Sequence, residues 1–213
     1  VVVRLLGGAS YWSYGVEQIA ATCQRNGIGF AAVPGDDTPD LDLAQRGTLP
    51  SDAIHRLWQY LVNGGPANAD NFLHYAAFLI GCEVDWAEPA PLMTAGLYWP
   101  DTDAPDLDVL QGFWKKNAPI AAITFYRALI QSGNTEPIDV IVAALQKRGL
   151  NPLPLYIQSL KDTVSAGVLR KTFIDAPPTI ILNTTGFAVS TPGTDRTVTP
   201  FDAAGCPVLQ TIF

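Results

Sequence analysis

The 213 residues are 48% hydrophobic and 15% charged, against about 25% charged in an average soluble domain, which excludes a disordered chain and leaves room for one large or two small domains at roughly 100–200 residues each. Lys plus Arg number 13 and Asp plus Glu 20, giving a net charge of −7 with no basic run, so the electrostatic footprint of a nucleic-acid partner is missing. Pro, Gly or a charged residue interrupts every apolar run before the ~18–20 residues of a membrane span.

In chain order, residues 1–6 form a β-branched apolar run that ends at Gly7-Gly8. Residues 14–26 (YGVEQIAATCQRN) carry helical spacing through Val16, Ile19, Ala20 and Cys23, with Gly27 placed to end the helix. Residues 28–33 are a second strand, stopped by the turn-rich PGDDTPD. Strand, helix, strand is the core of a parallel α/β unit. Helices are expected over 51–62 and 67–80, with Leu57, Trp58 and Leu61 on one apolar face. Residues 83–91, with three acids and two prolines, read as a linker.

The second half repeats the pattern. Strands are expected at 92–99, 119–125, 153–157, 179–182 and 208–213, and helices at 107–116, 138–148 and 162–174. Thr135 and Pro137 mark the start of the second of these helices, and Gly149 its end. Residues 190–200 (STPGTDRTVTP) form a polar loop. The expected fold is α/β, with two Rossmann- or flavodoxin-like lobes and mostly parallel, doubly wound sheets. Residues 1–85 would be the first, incomplete lobe, including the helical segment 51–80. Residues 86–213 would be a second, flavodoxin-like lobe, truncated at its C-terminus. The absent initiator Met and the ending PVLQTIF, inside an apolar run, lead to the expectation of a piece of a longer protein.

Cys23, Cys82 and Cys206 are too widely spaced for a zinc pattern. With no signal peptide, they read as buried or inert thiols of a cytoplasmic protein. The two histidines, His55 and His74, lie in helical patterns, so no metal ligand is assigned.

Ligands of open α/β sheets bind outside the carboxyl ends of the strands. The segments there are GGASYW (7–12), PGDD (34–37), YRALIQSGN (126–134), SLKD (159–162) and NTTG (183–186). GGASYWSYG offers backbone N–H groups to an anion, or is a plain tight turn, since no GxGxxG or GxxxxGK[ST] occurs. Asp36 and Asp37 sit where a ribose acid would, or in a solvated turn. In FYRALIQSGNT, Arg127 follows a buried strand and can meet a carboxylate bidentately. Tyr126, Ser132 and Asn134 stand beside it, and Asn183 and Thr184 lie on the neighbouring strand-end loop. These six residues are the candidate ligand-binding set; the rival reading is helix caps and an arginine paired within its own loop. Lys161 can neutralise an anion and Asp162 can cap the next helix. Tyr11, Trp12, Tyr98, Trp99, Phe125 and Tyr126 gather at strand ends, either lining a pocket for a flat ligand or packing in the core.

The blocks RLLGGASYWSYGVEQ, PGDD, FYRALIQSGNTEPIDVIVAALQKRGLNPLPLYIQSLKD, ILNTTGFA and AGCPVLQ resemble, in order, the large subunits of the aerobic cobaltochelatase (CobN) family. They are similar more distantly to the H subunit of magnesium chelatase. The resemblance implies an N-terminal portion of a much longer subunit. The implied activity is that of a ligase forming nitrogen–metal bonds: ATP-dependent insertion of cobalt into hydrogenobyrinic acid a,c-diamide during cobalamin biosynthesis. It further implies a subunit that carries the tetrapyrrole substrate, with separate AAA+-type partner subunits hydrolysing ATP. Cobalt and ATP then serve the whole complex, and no cofactor is expected on this piece. Metal-handling residues are expected in later parts of the subunit, so the piece alone is expected to be inactive. The alternative is a two-lobed small-molecule binding or sensing module without catalysis.

Overall fold

The computed structural model describes residues 1–186 and 198–212. Most of the expected polar loop at 190–200, and the last residue of the expected final strand, lie outside them. The chain divides into two compact units, Val1–Leu92 and Met93–Phe213.

The first unit opens with β1 (Val2–Leu5), α1 (Ser13–Arg25) and β2 (Ala31–Pro34). The strands pair in parallel, Val2 opposite Ala31 and Leu5 opposite Pro34, which a two-residue turn cannot connect and a crossover helix can. Gly27 has φ +65°, the left-handed conformation that stops a helix where side chains with a Cβ resist it. A short helix the sequence pattern does not reveal, α2 (Leu41–Ala44), is capped by Asp40, which accepts from the Leu43 amide at 3.0 Å. Then come α3 (Ser51–Asn63) and α4 (Pro66–Leu79). Ala53, Ile54, Leu57, Trp58 and Tyr60 of α3 pack with Ala31 and Val33 of β2 and Tyr75 of α4.

The segment read as a linker is a strap on this helical pair. Asn68 of α4 is buried and grips Ala90 twice, accepting from its amide at 2.9 Å and donating to its carbonyl at 2.8 Å. Asn71 takes the Ala87 amide, and Asn63 the Leu92 amide. The Tyr60 hydroxyl donates to the Ala87 carbonyl. The Arg56 guanidinium lies over the rings of Tyr75 and Trp86, 5.1 and 5.0 Å from their centroids, and pairs with Glu88 at 2.8 Å. The division therefore falls after Leu92, not after residue 85. Proline and acid content suggested a linker because the strap's amides are satisfied by side chains far away in sequence. Asn68→Ala is expected to cost about 1–2 kcal/mol, since it removes both part-buried bonds that hold Ala90 of the strap. Urea unfolding measures the loss, and faster proteolysis within 83–92 shows where it acts.

The second unit contains β3 (Ala95–Leu97), α5 (Leu107–Gly112), β4 (Ile120–Tyr126), α6 (Arg127–Ser132), α7 (Glu136–Lys147), β5 (Asn151–Ile157), α8 (Thr163–Asp175), β6 (Ile180–Asn183), a 3₁₀ turn (Pro200–Ala204) and β7 (Val208–Gln210). The sheet order is β3-β5-β4-β6-β7. β5, β4, β6 and β7 run parallel, whereas β3 is antiparallel to β5, so the expected parallel sheet carries one reversed edge. β4 and β5 are buried along nearly their whole length, which is why they read as continuous apolar runs rather than alternating ones. Asp162 caps α8 as expected: its Oδ2 accepts from the Ser165 amide at 2.6 Å, and that bond holds the carboxyl below the usual range.

Two local expectations change. Residues 127–132, read as loop, are helix α6, ended by Gly133 at φ +70°. Thr135 precedes α7 but caps nothing with its side chain, because its backbone is already helical at φ −93°, ψ −10°; its hydroxyl turns to Asp139 instead. Among the cysteines only Cys23 is buried, while Cys82 is exposed and Cys206 half-buried.

Candidate functional site

In the second unit the chain runs from β4 to β5 on one side and returns to β6 on the other. The carboxyl ends of β4 and β6 thus flank the point where strand order reverses, the usual ligand crevice of such sheets. Five of the six candidate residues stand on or directly after these two strands, or on α6: Tyr126, Arg127, Ser132, Asn183 and Thr184. Asn134 follows the glycine that ends α6.

Their surroundings divide them. Thr124 of β4, Asn183 of β6 and Gln210 of β7 are successive partners in the strand register. Thr124 Oγ1 donates to Asn183 Oδ1 at 2.8 Å, and Asn183 Nδ2 donates to Gln210 Oε1 at 2.9 Å. The Asn183 oxygen also accepts from the Thr185 amide and hydroxyl, at 3.2 and 2.8 Å. With Asn183 6% exposed and Thr124 fully buried, this polar row is a buried link across the carboxyl ends of three strands. The Asn183 amide is committed to it. Thr184 donates its hydroxyl to the Thr124 carbonyl at 3.0 Å. Tyr126 accepts the Gly186 amide at its hydroxyl, at 3.1 Å. Both tie the loop after β6 to the end of β4.

Arg127 is half-buried, and its Nε donates to the Met93 carbonyl at 2.9 Å. Through this bond it spans β5 to reach the entry of β3. Ser132 returns its hydroxyl to the Leu129 carbonyl at 3.2 Å and is exposed, as is Asn134. The wall beneath is aromatic: Tyr98 meets Phe125 edge-on at 5.7 Å, and Phe125 is 6.5 Å from Tyr156. The Tyr98 hydroxyl donates to Asp139 Oδ1 at 2.6 Å. Burial, then the Asp139 bond, push that phenol up to about 12, so it stays neutral at physiological pH. Thr124, Gln210 and Tyr156 were not among the expected residues; a lone Thr inside the apolar run IAAITF was the available signal.

The strand ends of the first unit are committed differently. The Ala9 amide of the GGAS turn donates to Asp40 Oδ2 at 3.0 Å, so the protein's own carboxylate takes this N–H. Asp36 caps a local turn at the Thr38 amide, and both it and Asp37 are exposed. Tyr11 and Trp12 are exposed, and Trp99 stacks on Phe113 at 4.6 Å. Among the described residues no three His, Cys, Asp or Glu side chains gather as a metal site, and no helix is long and apolar enough to cross a membrane.

A mixed α/β chain with a mostly parallel sheet is the class that this geometry defines. Residues 58–213 match the CobN/Magnesium Chelatase family, and the chain belongs to it. It is similar to the aerobic cobaltochelatase subunit CobN of Sinorhizobium sp., at 42% identity over all of this chain and 17% of that protein. CobN of Pseudomonas aeruginosa is 37% identical over the same shares. The solved catalytic subunit of cobaltochelatase from Mycobacterium tuberculosis superposes with a TM-score of 0.71 at 26% identity, over 100% of this chain and 17% of that one. The chain thus spans about a sixth of the length of these relatives.

Proposed function

We propose that this chain is part of the large, tetrapyrrole-binding subunit of an ATP-dependent cobaltochelatase. In this reading the complex inserts cobalt into hydrogenobyrinic acid a,c-diamide during cobalamin biosynthesis, in the cytoplasm, and is a ligase forming nitrogen–metal bonds. The observation that carries it is similarity along the entire chain to two CobN subunits, at 42% and 37% identity. The geometry is compatible. The parallel strands in the order β5-β4-β6-β7 correspond to a flavodoxin-like 2-1-3-4 arrangement with its ligand crevice at β4 and β6. The first unit is a Rossmann-like β-α-β start.

The role of this chain's residues is to bind and orient, not to cut or join bonds. Arg127 supplies a fixed positive charge at the carboxyl edge of β4, suited to the peripheral carboxylates of a corrinoid precursor. Tyr126, Thr184 and Asn183 hold the adjoining loop, and Ser132 and Asn134 lie on the exposed rim. ATP hydrolysis is assigned to AAA+-type partner subunits, since the sequence contains no P-loop.

Two measurements test the reading. The full-length subunit, mixed with its AAA+ partners, ATP and Co²⁺, is expected to convert hydrogenobyrinic acid a,c-diamide to its cobalt complex; no conversion refutes it. The purified 213-residue chain alone is expected to release no phosphate from ATP above a mock preparation and to insert no cobalt. Turnover by that chain would contradict the division of labour.

A further inference from the structure

Tyr156 stands near the carboxyl end of β5, directly opposite Gly96 on the edge strand β3. A Cβ on Gly96 would lie 2.7 Å from the Tyr156 hydroxyl oxygen and 2.9 Å from Cζ. The phenol therefore fills the place of the missing side chain and extends across the edge strand. Covering an edge glycine with an aromatic ring is a common way to stabilise a sheet, and it accounts for the ring. It does not account for the hydroxyl.

The other buried or half-buried tyrosines all use theirs. Tyr60 donates to Ala87, Tyr98 donates to Asp139, Tyr75 accepts from Arg56 and Tyr126 accepts from Gly186. The Tyr156 hydroxyl has no hydrogen-bond partner among the described residues, although the residue is only 6% exposed. No side-chain oxygen or nitrogen sealed from water in the described residues lacks a partner, so this oxygen is open to water. Burial raises the phenol above its ordinary range, which keeps it a donor. The charge that acts on it is the positive one of Arg127. Arg127 itself is anchored to the Met93 carbonyl, three residues before Gly96. A donor hydroxyl and a guanidinium thus border the same short stretch of backbone.

We infer that the Tyr156 hydroxyl is a hydrogen-bond donor to a ligand carboxylate over Gly96 of β3, beside Arg127, and so recognises one peripheral acid group of the macrocycle. The inference rests on the tetrapyrrole reading for the identity of the ligand. The preference for a carboxylate over a neutral amide follows from the Arg127 charge, because hydrogen bonds to charged acceptors are the stronger ones.

The test is Tyr156→Phe in the full-length subunit, which keeps the ring over Gly96 and removes one oxygen. Affinity for hydrogenobyrinic acid a,c-diamide is expected to fall roughly ten-fold, with the thermal midpoint unchanged. The methyl-esterified macrocycle should bind wild type and Tyr156→Phe alike. Equal affinity of both proteins for the free acid, or a loss matched by a lower midpoint, overturns the inference while leaving the tetrapyrrole reading intact. If the wild-type subunit binds no macrocycle, that reading fails, and a second measurement decides the site. Propionate is titrated into protein carrying ¹³Cζ-tyrosine, with the Tyr156 resonance assigned by its absence in Tyr156→Phe. A saturable shift that disappears in Arg127→Gln supports the carboxylate site, and a resonance that does not move refutes it.

Discussion

Asn183→Ala is expected to destabilise the second unit by about 3–4 kcal/mol, a larger effect than any single change at the exposed rim. The amide oxygen accepts from Thr124 and twice from Thr185, and the amide nitrogen donates to Gln210 and to the Thr185 carbonyl. Each buried polar group left without a partner costs about 1–3 kcal/mol. Thr124 is fully buried and Thr185 is 2% exposed, so water cannot readily replace the lost bonds, and the members of such a network reinforce one another. Thr124→Val removes one donor and roughly keeps the volume; it should cost about 1 kcal/mol, because the Asn183 oxygen retains its Thr185 partners. Urea unfolding followed by circular dichroism measures both. An unchanged midpoint in Asn183→Ala would show that the amide is not structural and would return it to the ligand side of the site.

How far this arrangement can be read from the residues depends on the distance over which each determinant acts. α1 with Gly27, β4 and the Asp162 cap of α8 are set by neighbours within a few positions, and their signals lie in the local pattern. α6 spans six residues, fewer than two turns, too short for a helical period to stand out from a loop. The reversed direction of β3 is invisible because three residues, AGL, carry no mark of orientation. The polar row depends on register: Thr124, Asn183 and Gln210 become neighbours only when β4, β6 and β7 align. Asn183 was noticed for lying at a strand end, but its three-strand role needed the pairing. The strap over α3 and α4 failed as a linker for the same reason, since Asn63, Asn68 and Asn71 bind its backbone from 16 to 29 residues away. Arg127 was legible in position and illegible in partner.

Arg127→Ala in the full-length subunit is expected to weaken binding of hydrogenobyrinic acid a,c-diamide by about ten- to a hundred-fold. A charge-assisted contact is worth ~1.5–3 kcal/mol, and each 1.4 kcal/mol is a factor of ten in affinity. One folding contribution is small by comparison. The bond that Arg127 Nε makes to the Met93 carbonyl is solvent-exposed, so water can take that place, and losing this bond should cost less than about 1 kcal/mol of stability. Arg127→Lys should recover part of the affinity, because it restores the charge without the planar fork that meets a carboxylate with two parallel bonds. Raising the salt concentration should reduce the difference between wild type and Arg127→Ala, since an attraction at a half-exposed site is screened. Affinity and thermal midpoint must be measured on the same preparations. If affinity is unchanged, or falls only as far as unfolding explains, Arg127 is a latch between the end of β4 and the entry to β3. Loss of affinity in a protein that melts like the wild type places its charge on the ligand.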